Sequence, residues 1–207
     1  MSATEPVAIA ILAKAPIPGF AKTRLIPVLG ADGAAAFQQS LIARTIETAC
    51  SAATGPVTVW AAPNATHRAF VALRGRGIGL MRQPDGDLGA RMLAATEAAK
   101  GPVLVIGTDC PALTPDHLRA AAAILRGGID AVVFPAEDGG YVLIGARQAE
   151  TALFCDMTWS TPQVMEETRR RLRQAGLAWQ EPATLWDVDR PEDLDRLRAC
   201  DLERLLP

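Results

Sequence analysis

The chain has 207 residues, 49% of them hydrophobic, and a formal net charge of -2. That length suits one domain spanning residues 1–207 with a sizeable core, and the near-neutral balance excludes the extended basic face that nucleic acid or an anionic membrane requires. The four cysteines, Cys50, Cys110, Cys155 and Cys200, have no metal-type spacing, and the first apolar run stops at Lys14, too short for a signal peptide or a span. The expectation is a soluble cytoplasmic protein with free thiols and small-molecule partners.

Val7 to Ala13 is continuously apolar, as a strand covered on both faces is. It runs into the basic loop Ala13–Leu25, which holds Lys14, Gly19, Lys22 and Arg24. The chain contains only three lysines, so this loop takes two of them. Asp32 can then cap a helix with Phe37, Leu41, Ile42 and Ile46 at helical spacing, ending near Gly55-Pro56. Val57 to Ala61 reads as a second strand, a short helix passes through Phe70 and Leu73, and Ile78 to Met81 is a third strand. Gln83 to Arg91 is turn-rich and leads into a helix ending about Lys100.

Val103 to Ile106 is a second fully apolar strand, ending in Gly107-Thr108-Asp109-Cys110-Pro111. Thr114 and Pro115 start a helix as cap and first residue, and Gly127-Gly128 stops it. Asp130 to Phe134 is a strand, and Gly139 to Gly145 another, entered through a glycine turn. Thr161-Pro162 repeats the cap signal for a helix to about Ala175, whose Glu166, Glu167, Arg170 and Arg171 read as a solvated face. Leu185 to Leu194 is a short strand turning into a final helix.

Strands alternating with helices predict an α/β fold: a doubly wound, mostly parallel central sheet with helices on both faces. Ligands in such sheets sit beyond the carboxyl ends of the strands, where strand order reverses. With the first and fourth strands as neighbours, the loop carrying Lys14, Lys22 and Arg24 faces the loop carrying Asp109.

Lys14, Lys22 and Arg24 suit a polyphosphate, the guanidinium bidentately and the ammonium groups as point charges, or they form a solvated basic loop. The loop is not a Walker P-loop, which needs glycine where Pro16 and Ala21 stand. Asp109 reads as a Mg²⁺ ligand or as a turn aspartate bonding nearby amides. Asp187 and Asp189, two apart, point the same way from a strand. One of them can complete a metal site, and Asp189 can equally cap the final helix. Asp138, Gly139, Gly140 and Tyr141 offer an acid, a flexible turn and the chain's one tyrosine to a sugar-like acceptor, or Tyr141 is simply a buried strand residue. Trp159 to Pro162 is a loop over the pocket or a helix start. His67 and His117 have no partner acid at useful spacing.

With these motifs in view, the chain from Ile9 to Leu197 resembles a bacterial family of uncharacterised transferases. That family has a glycosyltransferase-A-like, nucleotide-diphospho-sugar transferase fold and is also labelled an arsenosugar biosynthesis-associated glycosyltransferase. The resemblance rests on Ala13-Lys14-Ala15-Pro16 with Gly19 and Lys22-Thr23-Arg24-Leu25, on Asp87-Leu88-Gly89 with Arg91, and on Gly107 to Pro111. It rests equally on Glu137 to Tyr141, Trp159 to Pro162 and Asp187-Val188-Asp189. More distantly the layout is similar to the molybdopterin and phospholactate guanylyltransferases.

The resemblance implies nucleotide binding by Ala13, Lys14, Gly19, Lys22, Arg24, Gln83, Gly86 and Gly89, with Gln83 and the two later glycines at the base. It also implies Mg²⁺ on Asp109; Mn²⁺ is the alternative ion, Asp189 is the expected second ligand with Asp187 left open, and Lys22, Arg24 and Asp109 are the expected catalytic residues. Glycosyltransferases of this fold carry Asp-x-Asp after the fourth strand, where this chain has Thr108-Asp109-Cys110. That departure counts against glycosyl transfer, which the family labels favour; the basic loop, suited to three phosphates, favours nucleotidyl transfer from a nucleoside triphosphate to a small phosphorylated acceptor, which is the expected reaction. Glycosyl transfer from a nucleotide sugar and a non-catalytic nucleotide-binding module are the alternatives.

Overall fold

The computed structural model describes residues 5–200 and 202–207. Strand β1 (Ala8–Lys14) lies centrally, paired in parallel with β2 (Val57–Ala62) on one side and β4 (Val103–Ile106) on the other. Its side chains alternate between two packed layers, Ile9, Ile11 and Ala13 on one face and Ala10 on the other. A strand covered on both faces needs no polar alternation, which is why it reads as an unbroken apolar run.

Among the described residues the sheet has seven strands, and adding β3 (Gly79–Arg82), β5 (Ala131–Pro135), β6 (Tyr141–Ala146) and β7 (Trp179–Gln180) gives the order β3-β2-β1-β4-β6-β5-β7. All pairings are parallel except those of β6, which runs antiparallel to β4 and β5. The chain steps outward from β1 to β3 and then returns to place β4 on the far side of β1. That reversal leaves a crevice at the carboxyl ends of β1 and β4.

Helices cover both faces. α1 (Ile26–Ala52) and α4 (Pro115–Arg126) share one cluster with Ile9 and Ile11, joined by Phe70 of α2 (Arg68–Val71). α3 (Leu88–Ala99) and α5 (Val164–Gln174) pack Met92 and Met165 on the opposite face. A third cluster brings Trp186, Val188 and the final helix α6 (Asp193–Ala199) against Leu25, Phe37 and Leu41. Full burial of an aliphatic side chain contributes about 1.5–3 kcal/mol. Val188 and Leu197, both fully buried, therefore hold the strandless stretch before α6 down over the crevice.

Several boundaries differ from expectation for local reasons. α1 begins at Ile26, entered from Leu25 without a side-chain cap, and breaks at Gly30 (φ 70°, ψ 168°), so Asp32 lies inside it rather than capping it. α5 is entered from Gln163, while the Thr161 hydroxyl donates to Thr158 O at 3.0 Å. The Thr114 cap is as expected, with His117 closing a reciprocal capping box, and His67 caps α2. The expected strand at Leu185 shrinks to one bridge with Ala136. β7 is two residues long, too short to leave a periodic signal. Arg171 is not part of a solvated face: its guanidinium donates to the carbonyls of Ala152, Cys155 and Asp156.

That arginine anchors the segment leading to Trp159, which closes on two glycines. A Cβ on Gly89 would stand 2.0 Å from Phe154 O and 2.9 Å from Trp159 Cζ2, and one on Gly139 would stand 2.2 Å from Pro162 O. Gly89→Ala is expected to destabilise the protein by about 1–3 kcal/mol, visible as a lower thermal midpoint. An unchanged midpoint would show that this segment does not rest on α3.

Candidate active site

The loop after β1 is built to aim Lys22. Ala15 and Ala21 are buried, the amides of Phe20 and Ala21 both bond Ile17 O, and Gly19 turns the chain at φ 77°. Lys22 itself is left-handed, φ 48° and ψ 43°. A non-glycine residue there is strained by about 1–3 kcal/mol and needs surroundings that hold it. What holds it is its own side chain, 4% exposed. The ammonium donates to Val188 O at 2.5 Å and contacts Asp109 Oδ1 at 2.8 Å and Asp189 Oδ1 at 3.4 Å. Burial acts to lower the Lys22 pKa, but Asp109 and Asp189 outweigh it and hold the ammonium above the ordinary lysine value.

Asp109 reaches this position from the end of β4, and its carbonyl accepts from Val188 N at 2.8 Å. Asp189 also takes Arg24 Nη1 at 3.2 Å. It is not the helix cap: Asp193 instead accepts from the amides of Asp189 and Arg190 at 2.9 and 2.7 Å. Among the described residues Asp187 makes no ion pair, and burial together with the charges of Asp138, Asp189 and Asp109 pushes its carboxyl up to about 6. The crevice thus holds Lys22 and Arg24 against a group of aspartates drawn from β4, the 136–140 turn and the C-terminal return.

Gln38 ties the two strand ends together, donating to Lys14 O at 3.2 Å and to Thr108 Oγ1 at 3.1 Å; that hydroxyl in turn meets Asp109 Oδ1 at 3.3 Å. Sequence reasoning passed over it, although a glutamine between Phe37 and Leu41 on an apolar stripe is a visible signal. Gln83 plays a similar part. Its amide donates to Trp60 O at 2.8 Å and Ala13 O at 3.4 Å, so its donors are committed to the backbone. Lys14 is exposed and makes no ion pair among the described residues.

The other expected site residues spread outward from the crevice. Gly86 is exposed with φ 119°, whereas Gly89 is buried beneath Phe154 and Trp159. Asp138 Oδ1 accepts from Gly140 N at 2.9 Å, and Gly139 turns at φ 91°. Tyr141 faces inward, its hydroxyl 3.6 Å from Met92 Sδ and its ring edge-on to Trp159; burial raises its pKa. Trp159 Nε1 and Arg91 Nε are buried without a hydrogen-bond partner among the described residues. Glu137 pairs with Arg196, whose guanidinium lies 4.6 Å from the Trp186 ring centroid, fastening the 136–140 turn to α6.

A family model described as "Uncharacterized protein conserved in bacteria (DUF2064)" matches residues 45–161. The chain belongs to that family. Among solved structures, it is similar to a protein of Desulfovibrio desulfuricans G20 whose assignment as a nucleotide-diphospho-sugar transferase is provisional. The two are 28% identical, with 89% of this chain and 82% of that one covered at a TM-score of 0.82. It is also similar to a CMP:2-keto-3-deoxy-manno-octonic acid synthetase complexed with CTP (16% identity, 97% and 100% covered, TM-score 0.64). A third is Rv0371c of Mycobacterium tuberculosis H37Rv in complex with manganese (15% identity, 92% and 97% covered, TM-score 0.58). At such identities the second and third show the fold alone, and no curated protein matches. The fold is that of the nucleotide-diphospho-sugar transferases. No described helix is long and apolar enough to cross a membrane.

Cys110 follows the site aspartate directly and is buried, which pushes its thiol up to about 12. The other three cysteines are exposed. In native protein at pH 8, iodoacetamide is expected to alkylate Cys50, Cys155 and Cys200 and to spare Cys110 until denaturant is added. Mass mapping checks this, and early modification of Cys110 would mean that the Asp109 loop opens readily.

Proposed function

We propose that the protein is a nucleotide-dependent transferase, and that its reaction is nucleotidyl transfer from a nucleoside triphosphate to a small phosphorylated acceptor. The observation that carries this reading is the meeting of Lys22 and Arg24 with Asp109 and Asp189 at the carboxyl edge of β1 and β4. That edge is the ligand position of an open α/β sheet. Lys14, free and exposed on the same loop, adds a third cation for a triphosphate.

The donor set fits a divalent ion. Mg²⁺ uses one or two carboxylates and completes its shell with phosphate oxygens and water. Asp109 and Asp189 offer two carboxylates around one point already filled by a cation, the Lys22 ammonium. Among the described residues no group of three or more His, Cys, Asp or Glu side chains converges for a metal, so substrate phosphates and water would have to complete the shell. When bound, Mg²⁺ or Mn²⁺ supplies charge neutralisation across the phosphates.

This chain's residues do the rest by positioning and electrostatics. Lys14, Lys22 and Arg24 hold the triphosphate along the loop. The acceptor oxygen forms the new bond to the α-phosphorus while the bond to the bridging oxygen breaks, and Lys22 and Arg24 offset the charge gathering on the departing pyrophosphate. Gly86 and the exposed β3–α3 turn bound the base side, supported from beneath by Gln83, whose amide donates to the backbone, and by the covered Gly89. Asp138 to Gly140 lie on the acceptor side, with Tyr141 and Trp159 packed edge-on behind them. The Desulfovibrio protein's provisional assignment favours the second reading, glycosyl transfer, in which the same cations would receive a departing nucleoside diphosphate.

Incubation with Mg²⁺ or Mn²⁺, the common nucleoside triphosphates and small phosphorylated acceptors separates the two. Acceptor-dependent pyrophosphate release is expected, with Lys22→Ala and Asp109→Asn each lowering kcat by about 100-fold or more. Nucleoside diphosphate released from a nucleotide sugar, without pyrophosphate, would establish glycosyl transfer instead. Unchanged nucleotide affinity and turnover in both variants would remove the site assignment.

A further inference from the structure

We infer that Lys22 is a latch on the divalent-cation position: its ammonium fills the space between Asp109 and Asp189 until nucleotide phosphate draws it away, so that the metal enters with the nucleotide and not before it. This rests on the reading of the crevice as a nucleotide and metal site, and adds an order of binding to it.

An ammonium has three N–H donors and no acceptor. All three of Lys22's are matched, to Val188 O, Asp109 Oδ1 and Asp189 Oδ1. A divalent ion bridging the two carboxylates at this point would have to replace the ammonium, whose side chain is 4% exposed, against 45% and 42% for Asp109 and Asp189. The ammonium is therefore seated beneath the carboxylates, which present their other faces to solvent. A metal arriving alone meets oxygens already neutralised by a cation that water does not readily reach.

Simple withdrawal of Lys22 would leave Asp109 without a cation and Asp189 with the exposed Arg24 alone. Arg24, 62% exposed, reaches only Asp189. Withdrawal thus requires both a new acceptor for the ammonium and a new cation for the aspartates. A triphosphate carrying its divalent ion brings both at once. The four-carbon lysine stem allows the exchange without moving the loop, because the backbone at Lys22 is fixed by the buried Ala21 and Leu25 on either side. In the loaded site the same ammonium then lies on phosphate oxygen, where the proposed reaction needs it.

The test reads metal binding with no nucleotide present, from the paramagnetic resonance signal of free Mn²⁺. Wild type is expected to bind Mn²⁺ weakly, and Lys22→Met at least about tenfold more tightly, because both carboxylates lose the buried ammonium and Asp109 is left with no cation of its own. Lys22→Arg, which keeps the charge, is expected to remain weak, and Asp109→Asn added to Lys22→Met to abolish the gain. Equal Mn²⁺ affinity in wild type and Lys22→Met overturns the latch. In that event, loss of Mn²⁺ binding in Asp109→Asn alone leaves the metal site standing, whereas indifference to Asp109→Asn removes the site as well. If Lys22→Met does not fold, millimolar Mn²⁺ is expected to restore its circular dichroism in place of the missing ammonium; a chain that stays unfolded there also overturns the latch.

Discussion

A buried ammonium must have acceptors on every side, and much of this structure serves to deliver them to Lys22. Asp109 comes from the end of β4, the Val188 carbonyl and Asp189 from the C-terminal return, and the lysine itself from the loop after β1. Removing one partner from a fully buried pair costs about 3–5 kcal/mol, while a surface pair contributes about 0–1 kcal/mol. Here the cation is buried and its carboxylates are half-exposed. The interaction lies between those limits, and the proposed latch requires that it hold a left-handed lysine in place yet exchange against phosphate.

The fold makes that meeting possible by where it reverses. Because β1 pairs with both β2 and β4, the loops leaving β1 and β4 diverge and leave a crevice between them. Gln38 then fixes the separation of the two strand ends from beneath, through Lys14 O and Thr108 Oγ1. The Trp186-Val188 stretch covers the crevice because Val188 and Leu194 are buried against Leu25 and Phe37. Packing at a third cluster, away from the sheet, is thus what places Asp189 within reach of Lys22.

Much of this could be read from the amino-acid order, where a residue's role follows from its own segment. The central strands announced themselves as unbroken apolar runs, and Thr114-Pro115 as a helix start. Opposition of Lys22 and Asp109 followed from two strand ends and one topological rule. What could not be read depends on partners distant in sequence. Asp189 carries the composition of a cap, and only the arrival of Lys22, 167 positions earlier, makes it an ion-pair partner. Gly89 suggested a backbone kept bare for ligand, but the space its missing side chain leaves is taken by Phe154 and Trp159. Arg171 looked solvated from its helical spacing, until the carbonyls of the preceding loop closed around it.

The most direct measurement is a crystal structure with a nucleoside triphosphate analogue and Mn²⁺, using the anomalous signal of manganese to mark the ion. Expected is one peak between the carboxylates of Asp109 and Asp189, with Lys22 Nζ moved onto phosphate oxygen and the triphosphate lying along the loop from Lys14 to Arg24. A nucleotide bound away from the carboxyl ends of β1 and β4, or an ion held elsewhere while Lys22 stays on Asp109, would contradict it.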